Sequence, residues 1–96
     1  MTPHTLPDIV GPVTQKLTAT KGLRARFILF NASTSGGGTA AVVGDAAADA
    51  THGAHLQPNV PVIYPMNGAD ATATYDLSQL TAYVPSGTTL TTTYFT

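Results

Sequence analysis

Ninety-six residues without cysteine make one domain near the low end of the usual size range; they exclude a disulfide framework and thiolate chemistry and leave no room for a deep inter-domain cleft. Charged residues are 9% of the chain and the net charge is −1, against about 25% charged in an ordinary soluble domain, so there is no long-range field to attract nucleic acid or an anionic surface. No apolar run approaches the roughly 20 residues that a spanning helix needs, and Met1 to Pro7 lacks the basic and apolar regions of a signal peptide.

In chain order, residues 1–12 carry Pro3, Pro7 and Pro12. Each proline fixes φ and lacks a donor, so this segment reads as an extended N-terminal arm, with 13–96 as the β-domain. The arm is expected to lie outside that domain and dock on a neighbouring subunit through Leu6, Ile9 and Val10; folding back as an edge strand of its own sheet is the alternative. Val13 to Ala19 reads as a short strand closed by a Thr20-Lys21-Gly22 turn. Leu23 to Asn31 follows, with Leu23, Ala25, Phe27 and Leu29 on one face and Arg24 and Arg26 on the other. Ile28 and Phe30 make its second face apolar as well, which predicts cover on both sides near its end. Ser33 to Gly38 is a loop, and Thr39 to Val43 a strand closed by Gly44-Asp45. Ala46 to Ala54 reads as a short strand or turn, because its alanine run is too short to persist as a helix.

Leu56 precedes a turn at Gln57-Pro58-Asn59. Val60 to Tyr64 reads as an edge strand, since Pro61 cannot donate into a central ladder. Asn67-Gly68 is a hairpin signal, Ala71 to Tyr75 a threonine/alanine strand, and Asp76-Leu77-Ser78 a turn. Thr81 to Val84 and Thr88 to Phe95 read as a final hairpin about Pro85-Ser86-Gly87. Leu90, Thr92 and Tyr94 share one face of the last strand, and Thr91, Thr93 and Phe95 the other. The sum is an all-β, single-domain antiparallel β-sandwich or jelly roll of about seven to eight short strands.

Chemistry-bearing patterns are weak. His52 and His55, with Asp45 and Asp49 nearby, lack the four defined ligands of a closed zinc site, and Gly53 between the histidines favours a loop. Ser33 to Thr39 has no lysine and precedes a strand, so it is no phosphate cradle. There is no nucleophile elbow and no nucleophile–base pair, and with glutamate absent a carboxylate dyad would draw on aspartates in turn contexts. The expectation is no enzyme activity, no cofactor and no metal. Lys16, Lys21, Arg24 and Arg26 make a small basic cluster, better suited to a salt-bridging rim than to specific nucleic-acid binding. Tyr64, Tyr75, Tyr83 and Tyr94 are expected mostly in or beside the core. Threonine supplies 17 of the 96 residues, and a neutral, threonine-covered exterior suits a surface packed against neighbours.

Four pieces carry a resemblance: Phe27-Ile28-Leu29-Phe30-Asn31; Val42-Val43-Gly44-Asp45; Gly53-Ala54-His55-Leu56-Gln57-Pro58-Asn59; and Tyr75-Asp76-Leu77-Ser78 leading to Leu80 through Val84 and the Gly87 turn. Over residues 13–96 the order resembles small tailed-phage virion structural proteins, in particular capsid decoration (cement) proteins. The resemblance implies a β-sandwich or jelly roll that binds the major capsid protein on the virion exterior after synthesis in the host cytoplasm. It also implies a dimer or trimer; the low charge, the threonine-rich surface and the Pro61 edge put the trimer first, and the arm and the basic cluster offer Leu6, Ile9, Val10, Arg24 and Arg26 as partner-binding residues. A tail, neck or fibre-anchoring component, or a cellular carbohydrate- or protein-binding β-sandwich, are the other readings. The Gly36-Gly37-Gly38 insertion and the alanine-rich stretch 46–50 depart from the pattern.

Overall fold

The β-branched run Thr88 to Thr93 around Leu90, followed by Tyr94 and Phe95, favours a strand; buried at every second residue, that strand organises the molecule. The computed structural model describes residues 2–34, 40–45, 48–49, 51–64 and 75–96. Among them are eleven strands: β1 (Pro3–Thr5), β2 (Ile9–Val10), β3 (Val13–Lys16), β4 (Arg24–Ala25), β5 (Phe27–Thr34), β6 (Ala41–Gly44), β7 (Ala54–Leu56), β8 (Val62–Tyr64), β9 (Tyr75–Asp76), β10 (Thr81–Val84) and β11 (Thr88–Phe95). A 3-10 turn spans Leu77–Gln79. Every pairing is antiparallel. A five-stranded sheet runs β1-β11-β5-β8 with β2 also on β11; a four-stranded sheet runs β3-β10-β6-β7; β4 and β9 pair separately. The all-β expectation holds. The strand number exceeds it because several elements are only two or three residues long.

The core lies between the sheets. Ile28, Phe30 and Ala32 of β5 and Leu90 and Tyr94 of β11 face Ala41 and Val43 of β6, Leu56 of β7, and Ala82 and Val84 of β10. Ile28, Val84 and Leu90 have no exposed surface, and each such side chain contributes about 1.5–3 kcal/mol on burial.

Residues 2–12 do not form a free arm. Pro3, His4 and Thr5 pair with Phe95, Tyr94 and Thr93, and Ile9 and Val10 with Leu90 and Thr89. The register slips by one between these segments, so Pro7 and Asp8 together stand opposite Thr91, the geometry of a β-bulge. The slip explains why Leu6 and Ile9, three apart, both reach the core, where an unbroken strand would turn one outward. Proline forbids a helix here, but it is compatible with an edge strand.

Two further expectations change. Thr81 to Val84 and Thr88 to Phe95 lie in different sheets, so Pro85-Ser86-Gly87 is a corner between layers rather than a hairpin; it is closed by Thr88 N–H donating to Pro85 O at 3.2 Å, with Gly87 at φ +82. The expected strand from Leu23 to Asn31 breaks at Arg26, whose N–H donates to Phe95 O at 2.8 Å. The break moves the buried set from Ala25 to Ile28, Phe30 and Ala32, leaving Phe27 and Leu29 on the outer face. The glycine loop at 36–38, most of the alanine run at 46–50, the Asn67-Gly68 turn and the strand over 71–74 fall outside the described residues.

Candidate functional site

In a β-ladder, Cα partners share a face. The registers therefore gather Pro3, Thr5 and Val10, Thr89 to Phe95 at alternate positions, Phe27, Leu29, Asn31 and Ser33, and Ile63 on the outer face of the five-stranded sheet. None of these side chains is charged; Asp8, opposite Thr91 in the bulge, adds one carboxylate at the edge of the face. Val10 is 67% and Ile63 55% exposed, and Phe27, Leu29 and Phe95 are half-buried between them and the threonines. β5 carries this row because it is apolar on both faces, the inner one filling the core.

The sequence-predicted residues separate. Leu6 and Ile9 are core residues at 8% and 5% exposure and offer a partner nothing; this corrects their assignment as anchors. Val10 stays on the surface because the bulge sets it in phase with Thr89. Lys16, Lys21, Arg24 and Arg26 are all exposed. Arg24 stands opposite Asp76 across the β4–β9 pair. Ile63, Leu29, Phe27 and Phe95 were not singled out from the sequence as a surface; the legible signal was the doubly apolar run Phe27 to Phe30.

The histidines do not converge. Asp49 accepts from His52 Nδ1 and His52 N–H, each at 2.8 Å, and from Thr51 N–H at 2.8 Å. These donors, the Thr51 N–H first, hold its carboxyl well below the usual carboxylate range. His55 belongs to β7. Among the described residues no three histidines or carboxylates gather as a metal-binding group. Asp76 caps the 3-10 turn, accepting from Ser78 Oγ at 2.8 Å and Ser78 N–H at 3.0 Å; the Ser78 hydroxyl, then its N–H, then Gly22 N–H and the Arg24 charge lower its pKa.

Of the tyrosines, Tyr94 is buried and stacks on His4 with ring centroids 4.9 Å apart. Tyr64, 38% exposed, meets Tyr75 edge-on at 5.3 Å. Phe30, Val43, Leu56, Val62, Tyr64 and Leu80 line an apolar cleft of about 280 Å³ between the sheets.

Comparison with protein-family models, curated proteins and solved structures finds no match to this chain.

Proposed function

We propose that this chain is a non-catalytic structural protein of a phage virion, attached to the assembled capsid as a decoration protein through the outer face of the five-stranded sheet. One observation carries the reading: apart from Asp8 at its edge, that face is uncharged and partly apolar, which suits contact with another protein surface. The eight residues of β5, at about 3.4 Å each, and four strand positions at about 4.8 Å make a face of about 500 Å² in projection. Threonine, serine and asparagine share that area with the apolar Val10, Phe27, Leu29, Ile63 and Phe95. The sequence resemblance supports the same reading and supplies the partner, the major capsid protein. It also supplies association of copies as dimers or trimers, and the low charge and threonine-rich surface put the trimer first.

Quantitative mass spectrometry of virions purified from the producing host tests the proposal. Hundreds of copies per particle are expected; a dozen or fewer would point to a tail or neck component, and absence overturns the reading. Ile63→Lys tests the surface. Ile63 is exposed at a sheet edge, so the variant should fold normally and yet lose most of its particle occupancy.

A further inference from the structure

Two β-sheets packed face to face stand about 10 Å apart and need side chains from both inner faces to fill the space between them. Register gives the inner face of β8 Val62 and Tyr64, beside Phe30 and Ile28 of β5. It gives the inner face of β7 Ala54 and Leu56, beside Val43 and Ala41 of β6. Ala54 offers only a methyl group. The cleft of about 280 Å³ between the sheets lies at this place.

Phe30, Val43 and Leu56, all buried, form its deep end. Ala54, His55 and Tyr64 line it from exposed positions, and the Tyr64 ring is braced by its edge-on contact with Tyr75. An apolar cavity of about 150 Å³ already holds benzene, so this cleft has room for two fused rings. Phe30 and Tyr64 put aromatic rings in its wall, where offset or edge-on packing favours an aromatic ligand. Asp45 lines the cleft as well, and no lysine or arginine does among the described residues. An anionic ligand would therefore meet a like charge with no cation to answer it.

We propose that this cleft binds a small uncharged aromatic molecule, indole-like in size. Burial of the ring against apolar side chains supplies the affinity, as in most small-molecule sites, and the Asp45 charge supplies discrimination against carboxylates. The site goes beyond the attachment reading and is independent of it, because its apolar walls lie on the inner faces of the two sheets and not on the outer face that carries Ile63.

The probe is indole itself, titrated into the full chain and followed by methyl NMR. Saturable shifts are expected at Val43, Leu56, Val62 and Leu80, with nuclear Overhauser contacts from the ring to these methyls. The expected Kd is about 0.1–1 mM, within what a ligand of this size can reach. Indole-3-carboxylate should bind at least about tenfold more weakly. Ala54→Phe, at an exposed strand position, fills the cleft and should weaken indole binding by at least about tenfold. Ring-to-methyl contacts in the unaltered chain keep the test decisive if that variant misfolds. Absence of saturable shifts up to about 5 mM indole overturns the proposal, as do contacts confined to Val10, Ile63 and the outer face. A carboxylate that binds as tightly as indole, or an Ala54→Phe chain that folds and binds unchanged, overturns it too. None of these results bears on whether Ile63→Lys releases the chain from particles.

Discussion

Thr92 sits at 1% exposure in the core with its hydroxyl unpartnered among the described residues. A buried hydroxyl without a partner costs about 1–3 kcal/mol, and valine has nearly its shape and the same branched fit to a strand. Thr92→Val should therefore stabilise the fold by about 1 kcal/mol, raising Tm by roughly 4–8 °C in a domain of this size; unchanged or lower Tm by calorimetry would show that the hydroxyl has a partner. Gly11 has the opposite character. A Cβ there would run into Pro85 O, a backbone atom of the corner between β10 and β11, so Gly11→Ala should prevent folding or cost more than about 3 kcal/mol. Gly22, at φ +80 with open space around it, should lose only about 1–2 kcal/mol on the same change, and urea melts of the two variants compare them directly. Asp49 and Asp76 supply a pH signature. Both carboxyls are held below their ordinary value, so their contribution is complete above about pH 4 and is lost as pH falls through the lowered values. NMR titration of the Thr51 and Ser78 amides should show midpoints below that of an ordinary aspartate; an ordinary midpoint would mean that the caps are not formed.

What was legible at the level of elements was what periodicity alone decides. The shared face of Leu90, Thr92 and Tyr94 in β11 follows from side-chain phase, and the edge position of β8 from the missing donor of Pro61. Phase breaks were not legible. The slip at Pro7-Asp8 and the break at Arg26 each leave buried residues three apart, Leu6 with Ile9 and Ala25 with Ile28, and a period of two cannot represent that. The partner of a strand was equally hidden: Pro85-Ser86-Gly87 has the composition of a hairpin turn, and only the packing of two sheets makes it a corner. The surface suffered most, because which face of β5 is core depends on the Arg26 break. The N-terminal strands consequently belong to the stability of the domain. Ile9→Ala should cost about 2–4 kcal/mol, and removing residues 2–10, which deletes two core side chains and the pairing with half of β11, should abolish cooperative unfolding. A truncated chain that melts like the full one would restore the free arm.

At the scale of the molecule, two surfaces of different chemistry are open to the proposed attachment, and salt separates them. The outer face of the five-stranded sheet carries only Asp8, at its edge, as a charged residue, so contact through it draws mainly on apolar burial, which ionic strength does not screen and which kosmotropic salts strengthen. The exposed Lys16, Lys21, Arg24 and Arg26 would instead attach by ion pairing to an acidic neighbour, a contact between exposed groups that weakens once the Debye length falls to about 3 Å at 1 M salt. Arg24 already faces Asp76, which lowers what the basic cluster can offer a partner. Attachment through the sheet face therefore predicts that occupancy on purified particles changes little between about 0.1 M and 1 M sodium chloride. Ile63→Lys should abolish it, and Arg26→Gln with Lys21→Gln should leave it intact. Copies washed off at high salt, with occupancy lost on neutralising Lys21 and Arg26 and kept on charging Ile63, would move the contact from the sheet face to the basic cluster.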